Sequence, residues 1–418
     1  MVGMFMIGCF ALNLPVGVAM LMSATTGILV GNWGMPVPEM MRHLIEGSMS
    51  YVDTIMVIAS AMVFMKVIEA SGALDALSVT IVKRFHKWPV LMLICIMAII
   101  MFPGMITGSS TAAVLSAGSI MAPVLMMMGL DVVTTGAIIA MGGLCGMIAP
   151  PVNLPAMIIG GGIDTPFVGF ELPLLFMTVP VAIFSVLYLG LKVARKMDYA
   201  AIESKLDFSI GKKYGLRLYI PLVVLVVLLI ANKMIPQIPD IGLPAAFLVS
   251  ALVGCFTGRK IKPDKVMVDA VHASLPVMGI LMGVGMFIQV MTLTGVRGFI
   301  VDVCLSMPNQ LLVAAAAVSI PLFGAVSAFG ASSVLGVPFT LAMLKQNTII
   351  TISALSLITS LGDMMPPTAL AGMFAAEVVG IKKYTIVLRR CMVPMLVLLL
   401  WGVMSIYLSN QIAAILLH

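Results

Sequence analysis

Along most of the chain, apolar residues follow one another without the alternation of a half-buried strand or the single stripe of a surface helix. They form blocks separated by short polar breaks, and a helix needs about 20 such residues to cross a bilayer. Blocks at 10–30, 52–70, 132–160, 171–191, 217–231, 241–258, 272–294, 349–378 and 391–410 each predict a spanning helix. Two further blocks, 89–128 and 309–346, are too long for one span and are interrupted near their midpoints by Gly and Ser. Each predicts a re-entrant helical hairpin. The expected fold class is an all-α polytopic membrane protein with about nine spans plus two re-entrant hairpins.

Composition agrees. The 418 residues are 61% hydrophobic and 10% charged, against about 25% charged in an ordinary soluble domain. That excludes a cytosolic enzyme, a disordered chain and a disulfide-knit secreted domain. It also argues against a transmembrane β-barrel, whose strands alternate around a polar lumen. The six cysteines are scattered singly through apolar segments and read as small buried apolar residues. No cleavable signal is evident, since the first apolar run can insert as a helix itself. There is no Walker A loop, no HExxH motif and no clustered Ser/His/Asp set, so neither ATP hydrolysis nor enzyme chemistry is expected.

The net charge of +6 matters through its placement. Basic clusters lie at Lys83, Arg84 and Lys87, at Lys192 to Arg217, at Arg259 to Lys265, and at Lys382 and Lys383. With nine spans and both hairpins returning to their side of entry, all four clusters fall on one side. By the positive-inside rule that side is cytoplasmic. The N-terminus is then cytoplasmic and the C-terminus outside. If the interrupted blocks were ordinary spans, the clusters would split between the two sides.

The two halves resemble each other. Phe64 with Glu69 to Gly72 has a counterpart in Phe287 with Thr292 to Gly295, and Leu14-Pro15 in Leu243-Pro244. Ser109-Ser110 is matched with Ser332-Ser333, and Pro150-Pro151 with Pro366-Pro367. The expected organisation is an inverted repeat, with residues 1–194 and 217–418 as its units and 195–216 as a cytoplasmic linker. Such repeats place a transport site near the midplane, between discontinuous helices.

Four stretches carry the candidate chemistry. The first hairpin tip reads Gly108-Ser109-Ser110-Thr111, and the second is expected at Gly330-Ala331-Ser332-Ser333. Non-helical backbone survives at membrane depth only when buried in protein or lining a wet cavity. Hydroxyls and free carbonyls there suit a cation such as Na⁺, and an exposed helix N-terminus suits a carboxylate. Pro150-Pro151 with Asn153, and Gly362-Asp363 with Pro366-Pro367-Thr368, interrupt two spans at matching places. Asp363 is the sharpest single residue, because a carboxylate inside an apolar span is costly and usually functional. It suits Na⁺ binding, proton carriage or the capping of a half-helix. The substrate candidates are Gly108, Ser109, Ser110, Thr111, Asn153, Ser332, Ser333 and Thr368. The Na⁺ candidates are Ser109, Ser110, Pro150, Ser332, Ser333, Gly362, Asp363 and Pro366. Lys66 and Glu69, one turn apart, read as an ordinary i,i+3 ion pair.

With these residues in hand, the chain resembles the large membrane subunit of tripartite ATP-independent periplasmic (TRAP) transporters, in the wider ion-transporter superfamily. The resemblance runs over nearly the whole chain. It is carried by Leu14 to Ala19, Glu69 to Leu74, Gly108-Ser109-Ser110, Gly146 to Pro151 and Met365-Pro366-Pro367. Members commonly have an acidic residue and a proline at the second hairpin tip, where this chain has Gly330 to Ser333. They commonly have a small residue or Ser in place of Asn153. The resemblance implies an elevator-type secondary transporter of the bacterial or archaeal inner membrane, coupled to Na⁺ and carrying a small organic acid such as a dicarboxylate or sugar acid. It also implies two separate partners, a periplasmic substrate-binding protein and a small four-helix membrane subunit. The competing readings are a stand-alone proton-coupled or uniport carrier, a channel and a membrane enzyme.

Overall fold

The computed structural model describes residues 1–32, 34–196, 209–234, 242–366 and 368–417. All their regular structure is helical. Among the described residues, seven helices are long and apolar enough to cross a membrane: Val52–Ser71, Pro89–Thr107, Ser110–Met127, Glu171–Ala194, Ser209–Ala231, Pro263–Leu293 and Tyr384–Tyr407. Val16–Gly31, Val132–Met147, Gly242–Gly254 and Thr348–Met364 are shorter and apolar. Helices of this length and composition fit a multi-pass membrane protein. Large apolar side chains such as Val223, Val227, Leu252, Leu396 and Leu400 face outward, as they must where the solvent is lipid.

Several expected boundaries move. The first block does not form a helix from residue 10: Asn13 is left-handed (φ 49) and Pro15 precedes the helix, so Val16–Gly31 starts only afterwards. Pro263–Leu293 begins well before residue 272, because its first turns carry Asp264, Lys265 and Asp269 and escape an apolar window. Short helices at Val37–Met49, Ala73–Phe85 and Val296–Leu305 fill connections that hydropathy reads as loops. Most of the expected linker, 197–208, lies outside the described residues, as does Pro367.

The helices sort into two bodies by their apolar contacts. One core joins Val16–Gly31, Val52–Ser71, Gly242–Gly254 and Pro263–Leu293. The other joins Pro89–Met147, Glu171–Ala194 and 309–416. Ile106, Val152, Leu154 and Ile158, beside the first turn and the first break, belong to the first core, so these irregular segments lie where the bodies meet.

Within the second body the same succession appears twice. Pro103, a capping Ser109 and a π-turn at Val114–Gly118 return 218 residues later as Pro321, a capping Ser327 and a π-turn at Ser332–Gly336. The caps Asp131 and Asn347, then Gly146 and Gly362, then Pro150 and Pro366, recur at 216 residues. Glycine lets each pair of backbones touch. A Cβ on Gly146 would lie 2.5 Å from the Met101 carbonyl oxygen, and one on Gly362 would lie 2.6 Å from the Gly324 backbone.

Candidate functional site

Helix Pro89–Thr107 ends at Gly108, whose φ of 64° is open to glycine and strained for other residues. Ser109 then caps the next helix by accepting a bond from the Ala112 amide at 3.3 Å. Three successive side chains diverge. Ser109 and Thr111 line a cavity of about 610 Å³ between the two bodies. Ser110 is buried, and its hydroxyl donates to the carboxylate of Asp363, in the other half of the chain.

The second turn is not where the repeated Ser-Ser pair suggested. Helix Asn309–Gly324 ends just before Ala325, and Ser327 accepts from the Gly330 amide at 3.1 Å. The tip is therefore 325–327. Ser332 and Ser333 lie inside the following helix, where their hydroxyls donate back to Ala328 O (3.0 Å) and Gly330 O (2.9 Å). A serine past the first turn of a helix has those carbonyls within reach and needs no other partner. The structural counterpart of Ser109 is Ser327.

Both breaks form at the expected prolines. Val132–Met147 stops before Pro150-Pro151, which are joined by a cis peptide bond, and the chain resumes as Leu154–Gly162. Thr348–Ser360 continues through one tight turn, Leu361–Met364, then runs through Pro366 to Leu370–Val378. Each break is tied to its own hairpin turn: Val152 N donates to Met105 O (3.1 Å), and Thr368 Oγ1 donates to Ala325 O (2.6 Å). Two further bonds join the halves, Ser110 to Asp363 and Asn153 to Ser356 (2.9 Å).

Asn153 and Thr368 thus spend their polar atoms on the protein. Asn153 is fully buried, donates to Ile148 O (2.7 Å) and Ser356 Oγ, and accepts from the Ala156 amide (2.9 Å) as the cap of Leu154–Gly162. Neither lines the cavity, and neither do Ser332 or Ser333. Asp363 is buried in the tight turn that opens the break, and among the described residues no salt bridge reaches it.

The sequence matches the family described as tripartite ATP-independent periplasmic transporter, DctM component, over residues 3–411. The chain belongs to this family. As a DctM component it is a subunit of a secondary transporter. Two solved structures share its fold. The YdaH transporter of Alcanivorax borkumensis superposes with a TM-score of 0.63 at 16% identity, over 94% of this chain and 97% of that one. MtrF of Neisseria gonorrhoeae, described as illuminating a class of antimetabolite efflux pumps, gives 0.61 at 12% identity, over 95% and 94%. The sequence has no match among curated proteins.

For this DctM-family chain the cavity adds residues to which motif reading assigns no site role, among them Lys66 and Glu69, read there as an ordinary ion pair. Its other wall is built by Val52–Ser71 and Pro263–Leu293, with Met65, Lys66, Glu69, Pro276 and Val277 facing the first turn. Phe329 and Leu370 close it from the second half. At the opposite end of Val52–Ser71, the Tyr51 hydroxyl donates to Ile158 O (2.9 Å), and Arg297 donates to Gly162 O. The signal for Lys66 was present as a charge near the end of an apolar span. What it faces becomes visible only in three dimensions.

Proposed function

We propose that this chain is the large membrane subunit of a Na⁺-driven importer of a small organic acid, working by an elevator motion. The observation that carries the reading is the convergence of both hairpin turns and both breaks, joined across the halves by Ser110 and Asp363, beside a cavity at the boundary between two apolar cores. A site assembled on one body and walled by another suits movement of that body past a fixed scaffold. The succession that recurs at 216–218 residues supports an inverted repeat, with 1–194 and 217–418 as its units.

The residues divide the work. Hard cations take oxygen ligands, and Asp363 with Ser110 presents a carboxylate and a hydroxyl in a buried place next to the breaks. The carbonyls of Pro150 and Pro366, at the interruptions, and that of Gly362, which accepts the Met365 amide at 3.1 Å and keeps a second lone pair, complete the candidate Na⁺ set. Ser109 and Thr111 stand on the substrate side. The N-terminus of the helix they begin favours a carboxylate. Gly108, Asn153, Ser332, Ser333 and Thr368 shape the turns and breaks rather than touch substrate.

The basic clusters support an inner-membrane topology with the N-terminus cytoplasmic and the C-terminus outside. Lys66 and Glu69 lie at the end of Val52–Ser71 that leads to the Lys83 cluster, so the cavity is nearer the cytoplasmic side. A separate periplasmic substrate-binding protein and a small four-helix subunit would complete the transporter. The test is uptake of labelled dicarboxylates and sugar acids into proteoliposomes holding all three chains. Uptake is expected to need a Na⁺ gradient and to fall when choline replaces Na⁺. Ser110→Ala is expected to raise the Na⁺ concentration for half-maximal uptake. Uptake that ignores Na⁺ and follows a pH gradient overturns the coupling and favours Asp363 as a proton carrier.

A further inference from the structure

The wall that faces the first hairpin turn carries a charge pair with no role so far. Lys66 Nζ lies 2.7 Å from Glu69 Oε2, with side chains 31% and 24% exposed. Ser109, Thr111 and Ser116 face them, and among the described lining residues Lys66 is the cation and Glu69 the anion, the rest being neutral and mostly apolar. An exposed i,i+3 pair contributes little and is expected where water solvates it. Here both charges sit on the wall of a largely apolar cavity, where each loses part of its solvation and a partner compensates for that loss. An ammonium has three donors, and the bond to Glu69 uses one of them.

We propose that Lys66 determines substrate charge: its ammonium takes a carboxylate of the transported acid, and Glu69 holds and neutralises it while the cavity has no anion. The proposal rests on the organic-acid reading above and deepens it. The cavity of about 610 Å³ admits a small mono- or dicarboxylate or a sugar acid, with one carboxylate at Lys66 and further oxygens at Ser109 and Thr111. Glu69 gives selectivity through competition. A neutral solute offers nothing that outbids the existing bond, whereas a carboxylate replaces charge with charge. The binding residue therefore comes from the scaffold wall, and the coupling residue Asp363 from the body opposite.

The experiment uses the purified full-length chain in detergent. Its thermal midpoint is followed during titration with acetate, succinate and gluconate, each against its amide (acetamide, succinamide, gluconamide). At least one carboxylate is expected to stabilise the wild type while its amide does not. Lys66→Gln should raise the half-saturating concentration of that acid by about tenfold or more, the range for a lost charge-assisted hydrogen bond. Lys66→Arg should retain binding and Glu69→Gln should tighten it. Equal binding by wild type and Lys66→Gln overturns the assignment and leaves the organic-acid reading standing. Failure of every carboxylate to stabilise the wild type, or equal action by the amides, overturns that reading and the proposal with it. If Lys66→Gln does not fold, Glu69→Gln decides, and unchanged or weaker binding by it overturns the proposal.

Discussion

Asn153 separates a structural role from a substrate role. Replacing it with Ala removes three hydrogen bonds at once, to Ile148 O at 2.7 Å, to Ser356 Oγ at 2.9 Å and from the Ala156 amide at 2.9 Å. Loss of an N-cap costs about 1 kcal/mol. The bond to Ser356 joins two membrane segments and is worth roughly 0.6 kcal/mol by the average for such pairs. The Ile148 carbonyl, in a fully buried residue, loses its side-chain donor, at about 1–3 kcal/mol. The expected total is about 3 kcal/mol, taken from those ranges with some relaxation allowed. Asn153→Ser keeps a capping oxygen and should recover roughly the 1 kcal/mol of the cap. The assay is thermal unfolding in detergent, paired with the substrate concentration for half-maximal uptake. Asn153→Ala should lower the midpoint by several degrees and leave the half-maximal concentration of the surviving protein unchanged. A normal midpoint with a raised half-maximal concentration would refute the reasoning and return Asn153 to the substrate.

Other substitutions test neighbouring parts of the argument. Ser327→Ala should cost about 1 kcal/mol as a lost cap, and Ser332→Ala less than about 0.5 kcal/mol; equal costs by thermal unfolding would undo the placement of the second turn. Gly362→Ala must push a methyl into the Gly324 backbone, whereas Gly298→Ala meets nothing within 4 Å. The first should lower the yield of folded protein and the second leave it unchanged or improved, and equal yields would show that the contact is not needed. Tyr51→Phe deletes the bond from the Tyr51 hydroxyl to the Ile158 carbonyl, worth about 1 kcal/mol or roughly fivefold in a two-state equilibrium. With Met157→Cys as reporter, an impermeant maleimide added from outside should label faster in the Phe variant, and an unchanged rate would deny Tyr51 a part in holding that side closed.

Particular residues show how far reading the chain goes. The spans, the first turn at Gly108-Ser109 and both breaks were legible because each rests on local chemistry: apolar length, a left-handed glycine before a capping serine, and prolines that cannot continue a helix. The second turn was misplaced because Ser332-Ser333 repeats the letters of Ser109-Ser110 but not their position. A serine caps or back-bonds according to where the helix begins, and here it begins at Ala328, just past Gly324, whose backbone packs against Gly362.

The chain by itself determined what is local or compositional: a helical, membrane-embedded molecule, its irregular segments, and a carboxylate placed where no solvent would keep it. The tertiary structure decided which polar groups remain free for a ligand. Asn153 and Thr368 hold the breaks together, Ser110 turns to Asp363, and Ser109 and Thr111 meet Lys66 across a cavity. A hydrogen bond is a property of two partners. Here those partners lie as far apart as 253 residues along the chain, a distance over which only packing brings them together.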